Sequence, residues 1–296
     1  MKHTLFLLIC LMLATPALAT TSEQEKKETA YPTTLKANLR RVGLELSSTE
    51  VKNAKYYQDS SVSALNSDSQ KVVKGVLDFV LEYQTSFYRW DNGVFAEYAK
   101  TKLKSADGTT DNNETADKIL FSSNYTQRVW KFDQGSLGPF VDAGYQTEFT
   151  RNDDAPRTST LRGKLGLKLF DSPLLKDLYA AAVGEYDMTY NPDVSKLAGE
   201  VGFRIEQNLR EDVKLSADGY YRRYFSFSAY EAEDLRYDLN ITARMDVKMI
   251  NKFYLGPYIS YRRAHSRGAP VSASNFMIGL SFSYADAFDL IKSEEK

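Results

Sequence analysis

Charged residues recur at every second position along several stretches of this 296-residue chain. The bases include Arg162, Lys164, Lys168, Arg204, Arg222, Arg236, Arg244, Lys248 and Arg262. The acids include Asp142, Glu148, Glu185, Asp187, Glu200, Glu206, Asp218, Asp238 and Asp246. Residues two apart on an extended strand share a face, so these side chains line one side of a sheet. Inside a sheet closed on itself, such a lining has two readings. A water-filled bore would use the charges to select solutes. A filled bore would pair them across strands, because buried charge needs a partner. Lys164, Arg204, Arg222, Arg244 and Arg262 are the candidate lumen site for an anionic solute. That reading fails if every one of the five pairs with an acid.

Other chemistry is thinner. His265 is followed by Ser266, with Glu231 and Glu233 on a neighbouring loop, and a Ser–His pair at an outer rim would be the signature of a lipid hydrolase. Neighbours along a strand point to opposite faces, so the bland reading, an exposed loop histidine, is preferred and no catalytic residue is assigned. The run Asp107-Gly108-Thr109-Thr110-Asp111-Asn112-Asn113-Glu114 carries oxygen ligands but not the spacing of a calcium loop, and reads as a solvated surface segment. Cys10 is the one cysteine, and it falls in the N-terminal export segment described below. No metal, no cofactor and no enzymatic activity are expected.

The elements that position the charged lining are strands. From Val73 to Phe87 the odd positions are mostly apolar and the even ones mostly polar, a period of two held for longer than an average strand. The pattern recurs along most of the chain. It predicts about twelve strands, near 34–47, 72–89, 93–103, 117–131, 139–151, 157–169, 176–190, 195–207, 213–225, 233–249, 253–264 and 273–284. In the first, the apolar parity switches between Leu35-Ala37-Leu39 and Val42-Leu44-Leu46, which predicts a bulge near Arg40-Arg41. Predicted lipid-facing rows include Leu161, Gly163, Leu165 and Leu167, and, on the tenth strand, Leu235, Tyr237, Leu239 and Ile241. Alternate connections are short, and Trp90-Asp91-Asn92-Gly93 has the chemistry of a tight hairpin turn. The first two outer connections, near 48–71 and 104–116, are long and polar. Aromatics gather at the predicted strand ends, among them Phe87, Trp90, Phe140, Phe170, Tyr224 and Tyr237, as two interfacial girdles would require.

The N-terminus reads as an export signal. Met1-Lys2-His3 precedes an apolar run over 5–14 and the small-residue site Ala17-Leu18-Ala19, so residues 1–19 are a cleavable signal peptide. Such a run is too short to span a bilayer as a helix. Residues 20–33 then form a polar periplasmic lead, 34–288 the barrel and 289–296 a charged tail. The 38 bases and 39 acids nearly cancel to a net charge of −1, which excludes the basic face a nucleic-acid partner wants. The expected fold is all-β: an antiparallel up-and-down transmembrane β-barrel in a bacterial outer membrane. Its expected partners are the bilayer, outer-leaflet lipid and a small hydrophilic solute. The favoured function is a porin-like channel; the alternative is a closed structural or surface-interaction barrel.

The chain also resembles the salt-induced outer membrane protein group, at Trp90-Asp91-Asn92-Gly93, at the polar second outer loop and at Gly144-Tyr145-Gln146-Thr147. The resemblance spans about 72–284 and implies an outer-membrane barrel. Separately, Phe276, Ile278, Leu280, Phe282 and Tyr284 resemble the C-terminal strand by which such barrels engage the barrel-assembly machinery, with Phe288 as a second possible end of the signal.

Overall fold

The alternation of apolar and polar side chains is realised as one antiparallel sheet rolled closed. The computed structural model describes residues 33–57, 60, 62–66, 71–104, 110–133, 135–150, 156–189 and 191–292. Residues 1–19 of the expected signal, 20–32 of the expected lead and 293–296 lie outside the described residues, as do 105–109; the rest of the oxygen-rich run, 110–114, is not a loop but the start of a strand, Thr110–Gln127.

The strands are β1 (Thr34–Lys52), β2 (Lys71–Gln84), β3 (Tyr88–Lys104), β4 (Thr110–Gln127), β5 (Trp130–Phe132), β6 (Gly135–Thr147), β7 (Thr160–Phe170), β8 (Leu175–Asp187), β9 (Val194–Arg210), β10 (Val213–Phe227), β11 (Leu235–Ile250), β12 (Phe253–Ser266) and β13 (Ala273–Lys292). Strands β1 to β4 pair in sequence order, as do β6 to β13; β13 pairs with β1, and β4 and β5 both pair with β6. Since β4 and β5 share one position in the wall, the thirteen segments make a closed barrel of twelve. Among the described residues, closure leaves no open edge to the sheet.

The two faces are inverted relative to a water-soluble protein. Outward positions carry exposed apolar side chains around the whole circumference, among them Leu44, Leu77, Val141, Leu165, Val201 and Ile278. Leu165 is 63% exposed. Inward positions bury Glu45, Lys168, Glu185, Glu200, Arg222, Asp238 and Arg244. An apolar surface of this extent is stable only against hydrocarbon. The strand ends Thr34 and Lys292 share one end of the barrel with the tight connections 85–87, 171–174, 211–212 and 251–252. The connections 53–70, 148–159, 188–193, 228–234 and 267–272 at the other end run longer. Short periplasmic turns and longer external loops on an even-stranded antiparallel barrel define the outer-membrane class, so the chain is a bacterial outer-membrane β-barrel.

The bulge in β1 is where the parity switch puts it. The pairing slips between Leu39 and Val42 against β13, and between Leu39 and Arg41 against β2. Its effect is to turn two consecutive arginines into the lumen, where Arg40 meets Glu82 at 2.9 Å and Arg41 meets Glu45 at 2.8 Å.

Several local expectations are corrected. The β2–β3 turn is not at Asn92-Gly93 but at Thr85-Ser86-Phe87, with Gln84 opposite Arg89. Thr85 Oγ1 accepts from the amides of Phe87 and Tyr88, both at 3.1 Å, and holds that turn. Asn92 and Gly93 lie inside β3. There a Cβ on Gly93 would stand 2.9 Å from Ser122 Oγ, so the glycine serves close strand contact rather than a turn. Phe140, Phe170 and Tyr224 belong to the interior and not to the girdles: Phe140 and Phe170 are buried, and Tyr224 reaches Glu185 at 3.2 Å. Leu235 is buried rather than lipid-facing, because β11 slips register against β12 between Leu235 and Tyr237. Finally, β13 runs on to Lys292, past the boundary placed at 288.

Candidate functional site: the charged lumen

Inward parity on β7–β10 builds one continuous chain of charge. Arg162 Nε donates to Glu185 at 2.6 Å. Arg222 bridges Glu185 and Glu200, at 2.6 and 2.5 Å. Lys164 Nζ donates to Glu200 at 2.7 Å, and the Tyr179 hydroxyl donates to the same carboxylate at 2.7 Å. A second cluster centres on Glu45 of β1, which meets Arg41 at 2.8 Å, Lys74 at 3.3 Å and Arg244 of β11 at 2.5 Å. Lys74 also meets Glu97 at 2.9 Å. Asp238 takes both Nε and Nη2 of Arg262, at 3.0 and 2.8 Å, and the Tyr220 hydroxyl at 2.7 Å. Lower down, Glu206 binds Arg204 and, at 2.8 Å, Lys214. Charge-assisted and forked contacts of this kind are the strong members of their class.

The five candidate cations therefore all have acid partners: Lys164 with Glu200, Arg204 with Glu206, Arg222 with Glu185 and Glu200, Arg244 with Glu45, and Arg262 with Asp238. A ladder of unpaired positive charge is not what the lumen holds. The cause is register: the same alternation that aims bases inward on one strand aims acids inward on its neighbours.

Three of the pairs are nonetheless lopsided. Lys164 is 19% exposed and its partner Glu200 0%; Lys74 is 18% and Glu45 3%; Arg262 is 26% and Asp238 4%. In these three the short carboxylate lies against the wall and the long basic side chain presents its outer face to the bore, whereas in Lys74–Glu97 and Lys168–Asp177 the acid is at least as exposed as the base. Two adjoining cavities of about 180 and 230 Å³ occupy the lower lumen and share Lys168, Asp177 and Arg204. The first is also lined by Arg40 and Asp91, whose Nε and Oδ1 atoms have no protein hydrogen-bond partner. Polar cavities with such atoms suit water or a small polar solute.

Both mouths are narrowed. At the inner one, Arg128 donates to Asp171 Oδ2 through Nε and Nη2, at 3.0 and 2.6 Å, and to the carbonyls of Thr85 and Tyr88. At the outer one, the connection after β1 turns inward. Tyr57, Val62 and Leu65 pack with Leu235, Ala264 and Ala273. The helical turn Ser63–Asn66 lies against both β13 and β4. Sequence reasoning named that loop as long and polar and missed its apolar anchor.

His265 and Ser266 are split across β12. His265 faces outward and stacks on Tyr237, ring centroids 6.1 Å apart, while Ser266 is buried and its amide donates to the Tyr57 hydroxyl at 3.3 Å. The Ser–His arrangement of a hydrolase is not formed by this pair. Among the described residues no group of three or more His, Cys, Asp or Glu side chains could hold a metal ion.

No protein-family model matches the chain, and no curated protein sequence matches it either. Solved structures that share the architecture include an outer membrane channel from Pseudomonas putida F1, at 11% identity, with 90% of this chain and 100% of that one covered and a TM-score of 0.48. Another is the NanC porin, at 12% identity, covering 81% of this chain and 98% of that one with a TM-score of 0.41. A third is the translocator domain of the autotransporter NalP from Neisseria meningitidis, at 11% identity, 95% of both chains and a TM-score of 0.36. Likeness at this level carries nothing about what a barrel conducts.

Proposed function

We propose that this barrel is a narrow channel for small hydrophilic solutes with a mild preference for anions. The observation that carries the proposal is the lopsided exposure of the Lys164–Glu200 and Arg262–Asp238 pairs. Pairing removes most of the net field. At Lys164 and Arg262 the compensating carboxylates sit behind the cation, so the exposed side of those two pairs is basic. The polar cavities around Lys168, Asp177 and Arg204 supply the lower part of the path. Strand β13, with its outward row of Phe276, Ile278 and Phe282, would serve as the assembly signal. Kinship with the salt-induced outer membrane protein group rests on the same short motifs, two of which fall within β3 and β6.

The test is single-channel recording from the folded chain in a planar bilayer, with reversal potential under a salt gradient. Ohmic steps with a reversal potential of anion-preferring sign are expected. E200Q, which frees Lys164 and Arg222 from a carboxylate, should move that potential further in the same direction. A cation-preferring potential would overturn the selectivity. The alternative, a closed surface barrel, is favoured by the first outer connection packed across the mouth. Silence from chain shown to be folded by heat-modifiable gel mobility would support it.

A further inference from the structure

Charge on the outward face of the barrel is rare and, where it occurs, mostly partnered. Glu50 and Lys52 of β1 lie 3.8 Å apart, and Asp193 accepts from the Tyr186 hydroxyl at 2.5 Å. The outer third of β10–β12 departs from this. Arg223 and Arg263 are exposed, stand on the outward parity beside Tyr221 and Tyr261, and have no ion-pair or hydrogen-bond partner among the described residues. Between them runs a row of rings: Tyr221 lies 6.0 Å from Tyr237, and Tyr237 stacks on His265. No acidic residue occupies an outward position on these three strands.

Register places the two arginines together. Arg223 is opposite Tyr237, Tyr237 is opposite His265, and Arg263 is opposite Leu239, one outward step below Tyr237. With strands about 4.8 Å apart and about 7 Å per outward step, their Cα atoms are about 12 Å apart, within joint reach of one headgroup. Depth is set by β12, whose periplasmic girdle residue is Phe253. Ten residues separate it from Arg263, which is about 34 Å of strand, or about 26 Å along the normal at a tilt of ~40°. The apolar band of such barrels is about 25 Å tall, so Arg263 emerges at the outer headgroup level.

A guanidinium without a protein partner costs little there only if the lipid supplies the anion, and its forked donors match phosphate. We propose that Arg223 and Arg263, with the Tyr221–Tyr237–His265 row between them, bind the phosphate-bearing headgroup of an outer-leaflet glycolipid. The rings provide flat amphipathic faces for its sugar, and the arginines take the phosphates. The site is separate from the lumen and holds whether or not the bore conducts.

The experiment is native mass spectrometry of the folded full chain in detergent, titrated with diphosphorylated lipid A and with its phosphate-free counterpart. The wild type should bind the phosphorylated form at least about tenfold more tightly, and R223Q/R263Q should lose that preference. R236Q is the control, since Arg236 sits at the same end, at the β11 register slip between Leu235 and Tyr237, and donates to the Arg267 carbonyl at 3.4 Å. It should bind as the wild type does. R223K/R263K, which keeps both charges, should retain most of the binding and covers the case in which the glutamine variant does not fold. Equal binding of the two lipids, or undiminished binding by folded R223Q/R263Q, would overturn the proposal.

Discussion

The two mouths of the barrel are narrowed by opposite chemistry. The inner one is held by charge. Arg128 is fully buried on Asp171, and Arg89 adds contacts to Asp91, Asp171 and Asp177 at 3.0, 3.4 and 2.8 Å. Both guanidiniums stand 5.4 Å from the Phe170 ring. Asp171 itself sits in the left-handed region with φ 61°, which an aspartate in a tight turn tolerates. The outer mouth is held by a small apolar cluster and a few hydrogen bonds from one loop. A charge clasp of this kind ties strands β3, β4 and β7 to one another, and removing a member leaves an orphan charge. The loop ties only itself to the wall. On this difference the inner mouth is expected to carry stability and the outer one to yield first.

The sharpest way to break that assignment is R128M. It strips Asp171 of its forked donor and leaves the Thr85 and Tyr88 carbonyls with one partner fewer. The expected cost is about 3 kcal/mol, the low end for a broken buried pair because Arg89 still lies 3.4 Å from Asp171. Urea titration of folding into lipid vesicles would measure it. A variant as stable as wild type would show that the clasp is incidental to the fold.

The strands and the bulge were legible because a period of two needs no tertiary information. Leu39 and Val42 cannot both face lipid unless the strand slips between them, so the parity switch alone located the slip. Asn92-Gly93 misled because its turn chemistry is local, while the actual turn uses Thr85 Oγ1, a hydroxyl whose turn-forming signal is weaker than that of Asn or Asp. Phe140, Phe170 and Tyr224 were assigned by residue type when their parity, shared with Asp142, Lys168 and Arg222, already placed them inside. The charged lumen was legible residue by residue, but its pairing was not. Arg244 reaches Glu45 across 199 positions of sequence, a contact set by closure of the barrel. The inward loop left no periodic trace because its partners, Leu235, Ala264 and Ala273, are on distant strands.

The outer mouth can be tested at two strengths. L65A removes a side chain with no exposed surface from the cluster. Large-to-small changes at such sites cost about 2–5 kcal/mol, enough here to undock the loop while the strand ladders stay intact. Single-channel conductance should rise, and the urea midpoint should stay near the wild-type value. A midpoint shift as large as that of R128M would erase the difference between the mouths.

Y57F is the gentler probe. The Tyr57 hydroxyl donates to the Val271 carbonyl at 2.8 Å and accepts from the Ser266 amide at 3.3 Å, and the ring stays in the cluster when the oxygen is removed. Losing these bonds should weaken docking by about 1 kcal/mol, a change of about fivefold in the ratio of open to closed time at unchanged step size. Step size and dwell time separate the two ways a loop can act. If Tyr57 merely narrows the bore, Y57F changes the step; if it latches a loop that leaves the bore, only the dwell times move. The second outcome would separate the two mouths by mechanism, because the charge clasp at the inner one has no counterpart to such a latch.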